Sequence, residues 1–226
     1  MQRAAIHDYF TDVLGLNPEH SGYEPLFRHW IEVQHRYAAQ SKFEDFAHNY
    51  SERPQVGFVA AAVWLAGGVA LEEWKTKKIG GEESHTGRCD LWFSLPGKGS
   101  YHAEAKHEWL RVGHDSALRK ANAMMKKAEM SAQALGSRDD THLALLTTSF
   151  WYPKESGVKS QESRRSRIHV QMKQSFDAVA KELNCPHVAL LLREERIAAN
   201  DQNKIVTGVA LFVKQVSIPQ KTETQC

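Results

Sequence analysis

The sequence predicts an α/β domain with a central mixed β-sheet flanked by helices, preceded by an N-terminal helical extension. A β-hairpin is indicated by apolar, aromatic and β-branched residues at 88–95 and 101–109, on both sides of a Pro-Gly-Lys-Gly turn. After the hairpin, segments of helical periodicity alternate with short apolar runs that are typical of buried strands. Helices that alternate with buried strands predict a sheet covered by helices.

Composition limits the classes of protein to which the chain can belong. The 226 residues are enough for one sizeable core, and 29 basic against 27 acidic residues leave the chain nearly neutral. Any nucleic-acid site must therefore come from local clusters of charge. Three cysteines in no pairable or metal-ligand spacing favour a reducing compartment. The start resembles no signal peptide, and the apolar run at 56–71 is shorter than the about 20 residues of a membrane span, so we expect a cytoplasmic protein without membrane contact.

The first 50 residues are predicted to form the helical extension. Residues 2–14 carry apolar side chains at helical spacing and stop at Gly15. A second helix is expected at about 24–40, with Leu26, Phe27, Trp30, Ile31 and Tyr37 facing inward.

The core is predicted to span residues 51–217. Its first helix begins after Ser51, tolerates Pro54 in its first turn and ends at Gly67. A strand at 69–79 leads into the hairpin. The remaining elements are a helix after Asp115, a strand at 142–151, a helix at 161–183, strands at 187–192 and 205–216, and a tail at 218–226.

Three charged residues of the hairpin carry the chemistry. Asp90 lies on the first strand, while Glu104 and Lys106 lie two residues apart on the second and so share one face. Two carboxylates can hold Mg²⁺ beside a phosphate, and a lysine next to them can orient or deprotonate a water molecule. The pattern therefore indicates phosphodiester hydrolysis.

Asp90, a hairpin and then Glu104-Ala105-Lys106 resemble the active-site signature of the PD-(D/E)XK nuclease superfamily. The match covers residues 90–106 directly, with Cys89 in place of the signature's proline, and the order of elements extends it over about residues 50–193. The resemblance implies a restriction-endonuclease-like core and an endonuclease that acts on DNA. It further implies that Asp90, Glu104 and the Ala105 carbonyl bind Mg²⁺ or Mn²⁺, that Lys106 positions the attacking water, and that products carry a 5′ phosphate. Many relatives are dimers, so a homodimer is possible.

Four further residues are candidates for this site. The resembled superfamily often uses a glutamate from the helix before the first strand, and Glu52 fits that position. The alternative is an acidic residue that is favoured there by the helix dipole. Glu72 and Glu73 on the first strand are weaker contenders. His102 shares the predicted face of Glu104 and is either an auxiliary group near the phosphate or a hydrogen-bonded neighbour.

Two basic clusters follow the hairpin and are expected to contact the DNA backbone. The alternative is that each is an ordinary solvated face. The residues are Arg119, Lys120, Lys126 and Lys127 in the first cluster, and Arg164, Arg165 and Arg167 in the second.

The sequence therefore predicts a Mg²⁺-dependent deoxyribonuclease. The same hairpin could instead hold a cross-strand salt bridge on a solvated sheet. Two other functions stay open: a nucleic-acid-binding or assembly protein that keeps the fold without hydrolysis, and a small-molecule hydrolase with a deep apolar pocket. A Cys89 nucleophile is not expected, because alternation along the strand turns Cys89 away from the face of Asp90.

Overall fold

The structure, a computed structural model, describes residues 10–16, 23–42, 45–80, 83–135, 140–153, 161–185, 187–193 and 204–217. Within these ranges seven strands and four α-helices alternate along most of the chain. In chain order they are β1 (Phe10–Leu16), α1 (Glu24–Gln40), α2 (Glu52–Leu65), β2 (Val69–Gly80), β3 (Glu83–Leu95), β4 (Gly99–Arg111), α3 (Ser116–Gln133), β5 (Thr141–Pro153), α4 (Gln161–Glu182), β6 (His187–Arg193) and β7 (Lys204–Val216), with a short 3₁₀ turn at Ala47–Asn49.

All seven strands belong to one sheet, in the order β1-β6-β7-β5-β4-β3-β2. Strands β2, β3 and β4 form an antiparallel meander, and α3 then crosses over so that β5 lies parallel to β4. Strand β7 pairs antiparallel with β5, and β6 with β7. The predicted α/β class with a mixed sheet and flanking helices is therefore confirmed.

Each face of the sheet packs on its own apolar core. Along β5, Leu143 and Leu145 join the core shared with α1 and α2, whereas Ala144 and Leu146 join the core shared with α3 and α4. Successive strand residues point to opposite faces, so a strand in the middle of three layers must be apolar on both sides. This explains the continuous apolar run that predicted β5.

The elements predicted from α2 to β5 are confirmed, with shifts of a few residues at their ends. The hairpin turn shows why its glycines are needed. Gly97 and Gly99 have φ angles of 69° and 86°, which residues with a Cβ adopt only at a cost. The turn therefore holds β3 and β4 in the register that places the candidate site.

The helix predicted at residues 2–14 is wrong where the structure describes it, because residues 10–16 form β1. This strand pairs with β6 from Phe10↔Arg193 to Leu16↔His187. The edge of β6 carries backbone N–H and C=O groups that residues 10–16 can pair with only as a strand. Thr11 and Val13 are β-branched and favour extended backbone. Within the first 50 residues, α1 is confirmed as a helix. Four of its expected inward residues are buried, whereas Tyr37 is half-buried and donates a hydrogen bond to Asp45.

Two stretches at the ends of the chain, residues 1–9 and 218–226, lie outside the described residues. The predicted tail is the second of them. Across the described ranges, no helix is both long enough and apolar enough to cross a membrane.

Candidate active site

The candidate site lies at the point where the two hairpin strands separate. Backbone pairing of β3 with β4 runs from Leu95↔Gly99 to Leu91↔Ala103, and Asp90 is the first β3 residue beyond it. Beyond the last backbone pair, the Asp90 side chain supplies the hydrogen-bond acceptor. Its Oδ2 accepts a hydrogen bond of 2.8 Å from the backbone N–H of Ala105. The carboxylate of Asp90 is thereby fixed in the fork between the strands.

Lys106 links the fork to the helix layer. Its Nζ lies 3.9 Å from Asp90 Oδ2 and 3.3 Å from Glu52 Oε1, and it donates a hydrogen bond to the carbonyl of Ala105. Glu52 is the first residue of α2, so the start of that helix reaches the hairpin. The side chains of Asp90 and Lys106 are 24% and 23% exposed, which leaves them within reach of a ligand.

Glu104 is the buried carboxylate of the group. Its side chain is only 4% exposed, and this burial raises its pKa above the ordinary glutamate value. The negative charge of Asp90 raises the pKa further, while hydrogen bonding to Lys78 and the charges of Lys78 and Lys106 oppose the shift. The charges of Asp90 and Lys106 thus act on the pKa of Glu104 in opposite directions.

Lys78 is a member of this group that sequence reasoning missed. Its Nζ lies 2.7 Å from Glu104 Oε1, although the two residues stand on β2 and β4 with β3 between them in the sheet. The lysine side chain passes Gly87 of β3, where a Cβ would lie 2.9 Å from its Cγ and Cδ. The signal that could have pointed to the contact is therefore a glycine inside a strand, which often marks a close approach.

The donor atoms suit a hard divalent cation. Asp90 and Glu104 offer carboxylate oxygens and Ala105 a carbonyl oxygen, and magnesium prefers oxygen ligands. Among the residues that the structure describes, no three His, Cys, Asp or Glu side chains are gathered in a metal-binding arrangement. The expected ligand set contains only two carboxylates, those of Asp90 and Glu104. In the structure, Lys78 lies beside the Glu104 carboxylate, and Lys106 lies beside the Asp90 carboxylate and the Ala105 carbonyl.

The two glutamates of β2, Glu72 and Glu73, differ in their surroundings. Glu73 lies 3.3 Å from both Arg53 and Arg88, and its backbone adopts a left-handed conformation with φ of 54°. Glu72 is exposed. Glu52, at the start of α2, is the glutamate that lies beside Lys106, with Oε1 at 3.3 Å from Nζ.

His102 is not brought to Asp90 and Lys106. It is buried, its Nδ1 lies 3.5 Å from Asp140 Oδ2, and its ring meets His142 edge-on at 5.8 Å. Burial lowers the pKa of His102, so the neutral ring is favoured. His102 is therefore a buried neighbour of Asp140 and His142.

Cys89 has the environment of a structural residue. It is fully buried, its thiol lies 3.3 Å from the carbonyls of Leu91 and Ala103, and burial raises its pKa to about 12. A thiol with such a high pKa is a poor nucleophile at neutral pH.

The first basic cluster covers the exposed side of α3. Lys120 Nζ lies 3.1 Å from Oε1 of Glu108, two residues beyond Lys106 on β4, which places that end of the cluster near the site. Arg119, Lys126 and Lys127 are exposed. Arg164, Arg165 and Arg167 belong to α4, but their side chains lie outside the described part of the chain.

Comparisons with protein-family models, with curated proteins and with solved structures found no match to this chain. Its function is therefore inferred from its own side chains. Those side chains are positioned by α2 and by the meander of β2, β3 and β4, which α3 connects to the parallel strand β5.

Proposed function

We propose that this protein is a Mg²⁺-dependent deoxyribonuclease that hydrolyses phosphodiester bonds at Asp90, Glu104 and Lys106. One observation carries the proposal: Asp90 and Lys106, from opposite strands of the hairpin, meet at the fork where backbone pairing ends, with Glu52 beside them. A solvated cross-strand pair stabilises a sheet by only about 0.2–1 kcal/mol, so sheet stability does not account for the pairing of Asp90 with Lys106.

The order of elements supports the same proposal. From α2 to β5 the chain runs helix, three strands, helix, strand. This is the order of the common core of the PD-(D/E)XK superfamily that the motif resembles. We therefore propose a restriction-endonuclease-like core. Strands β6 and β7 are additions to this core, and β1 joins the same sheet by pairing with β6.

In the proposed reaction the oxygen of a water molecule bonds to the phosphorus and the bond from phosphorus to the 3′ oxygen breaks. The proton that the water loses passes to solvent, and the 3′ oxygen takes one from solvent. Lys106 orients that water with its ammonium group, which Glu52 at 3.3 Å holds in place. Asp90, Glu104 and the Ala105 carbonyl are the groups that hold magnesium, which when bound neutralises charge that develops on the phosphate. Since Asp90 is already fixed by the Ala105 N–H, one of its oxygens is pre-oriented before the ligand arrives.

The proposal is tested by incubating supercoiled plasmid and linear DNA with the protein in Mg²⁺ and in EDTA. The expected result is cleavage in Mg²⁺ alone, with ends that a ligase can join because they carry a 5′ phosphate. An Asp90→Asn preparation, purified in parallel, controls for contaminating nucleases. DNA that is bound at low salt but stays intact in Mg²⁺ and in Mn²⁺ would instead identify the non-catalytic nucleic-acid-binding protein.

The basic residues of α4 are expected to bind the phosphate backbone. Replacing Arg164, Arg165 and Arg167 together by glutamine should weaken DNA binding and reduce the slope of log K against log salt by about 0.9 for each phosphate that the protein no longer neutralises. Fluorescence anisotropy at several salt concentrations measures both quantities. Arg28 and Arg36 of α1, each in an ion pair within its own helix, are the matched control when changed to glutamine. Unchanged affinity and slope in the triple variant would rule out this surface.

A further inference from the structure

The ion pair between Lys78 and Glu104 is the most enclosed interaction of the candidate site. The two side chains are 19% and 4% exposed, and Nζ lies 2.7 Å from Oε1. Burying two charges costs free energy that their attraction only partly returns, whereas an apolar pair of similar size is often as stable. The pair therefore calls for an explanation beyond stability.

The backbone around Lys78 and a glycine on β3 direct the Lys78 side chain toward Glu104. The backbone of Lys78 forms an isolated bridge with Leu135 after α3, which fixes the start of the side chain. The stem then passes Gly87, and a Cβ at that position would lie 2.9 Å from its Cγ and Cδ. Lys75 and Lys77 on the same strand are exposed, so an inward path is specific to Lys78 among these three.

Lysine ammonium groups balance the negative charges of the site. Glu104 has Lys78 at 2.7 Å, while Glu52 and Asp90 have Lys106 at 3.3 and 3.9 Å. A divalent cation at Glu104 would place two further positive charges beside the Lys78 ammonium. Like charges at such separations repel strongly in a partly buried site.

We propose that Lys78 is a positioning residue of the nuclease site, which holds Glu104 while no cation is bound and competes with the divalent cation for that carboxylate. This inference rests on the proposed function, because it takes Glu104 as a ligand of the cation. Binding of the cation then releases the Lys78 ammonium from its enclosed position. Competition is reciprocal, so removal of Lys78 strengthens cation binding to the extent that the cation loosens Lys78.

The first experiment follows the chemical reactivity of Lys78. The wild-type protein is labelled with an amine-reactive reagent with and without Mn²⁺, and each lysine is quantified by mass spectrometry. Labelling of Lys78 is expected to rise several-fold with Mn²⁺ while that of exposed Lys77 stays constant. In the Asp90→Asn variant, which binds the cation more weakly, the rise should require more Mn²⁺. Constant labelling of Lys78 at Mn²⁺ concentrations that calorimetry shows to be saturating would overturn the inference.

The second experiment measures the affinity for Mn²⁺ by calorimetry without DNA. Lys78→Met is expected to bind Mn²⁺ about fivefold or more tightly than wild type, which is the lower end of typical coupling between competing ligands. Lys77→Met, on the same strand and with the same loss of charge, should bind as wild type. Gly87→Ala, which crowds the lysine stem without removing charge, should shift the affinity in the direction of Lys78→Met.

Failure of this inference can be distinguished from failure of the proposed function. Weaker or unchanged binding by Lys78→Met, with wild-type binding and cleavage intact, would remove Lys78 from the site but leave the nuclease. Absence of Mn²⁺ and Mg²⁺ binding in the wild type would overturn both.

Discussion

Replacing Asp90 by asparagine is expected to lower the rate of Mg²⁺-dependent DNA cleavage by about a hundred- to a thousandfold, the range seen when one electrostatic contribution to a transition state is lost. The asparagine keeps an oxygen that can accept the hydrogen bond from the Ala105 N–H, now made by Asp90 Oδ2 at 2.8 Å. The fold at the fork should therefore persist while the negative charge is removed. Alanine is the poorer choice, because an unpaired backbone N–H would cost about 1–3 kcal/mol where it is buried.

Single-turnover cleavage of a labelled duplex measures this effect, and calorimetry with Mn²⁺ shows whether cation affinity falls with it. Thermal unfolding in EDTA should place the midpoint of Asp90→Asn close to that of wild type, since neither protein holds a cation under that condition. Wild-type cleavage by Asp90→Asn would remove Asp90 from the site and with it the nuclease assignment.

Lys106→Met is expected to lower the rate of the chemical step by about a hundredfold, the loss expected when a reacting group is no longer held in position. Methionine keeps much of the aliphatic stem but has no ammonium group to orient water or to contact Glu52 Oε1 at 3.3 Å. The loss should fall on kcat and should not weaken cation binding, because Lys106 is not expected to be a ligand and its ammonium lies 3.9 Å from Asp90 Oδ2.

The same kinetic assay separates the two variants. Asp90→Asn should be partly rescued by high Mn²⁺ concentrations, whereas Lys106→Met should not respond to them. Lys77→Met, on β2, is the control for loss of one positive charge on the same sheet. An effect on cation affinity alone, with an unchanged rate at saturating Mn²⁺, would contradict the role given to Lys106.

Much of the fold could be predicted from local patterns. Helices α2 and α3 combine apolar periodicity with clear ends, and the turn at Gly97 indicates the hairpin. The positions of both helices and of the hairpin therefore follow from short stretches of sequence. The motif Asp90, Glu104, Lys106 could be recognised for the same reason, because its members lie on adjacent strands of one hairpin.

What the sequence did not reveal depends on contacts between distant parts of the chain. Residues 10–16 have spacing that suits a helix, and they become a strand because β6 offers a free edge. Lys78 stands among other lysines on β2 with no local sign of its partner, and its contact with Glu104 exists because β3 leaves β4 at Asp90 and carries a glycine at 87. Long-range pairing and the point at which two strands diverge are properties of the folded sheet.

The pairing of β1 with β6 has a consequence for synthesis of the protein on the ribosome. Residues 10–16 emerge first, yet their partners are residues 187–193. At about 5–20 residues per second, the growing chain keeps that first segment without its partner for on the order of ten to thirty seconds. By contrast, every side chain of the Asp90 fork, from Glu52 to Lys106, is already translated within the first half of the chain. The nascent polypeptide can therefore gather these groups long before its last strand closes the sheet.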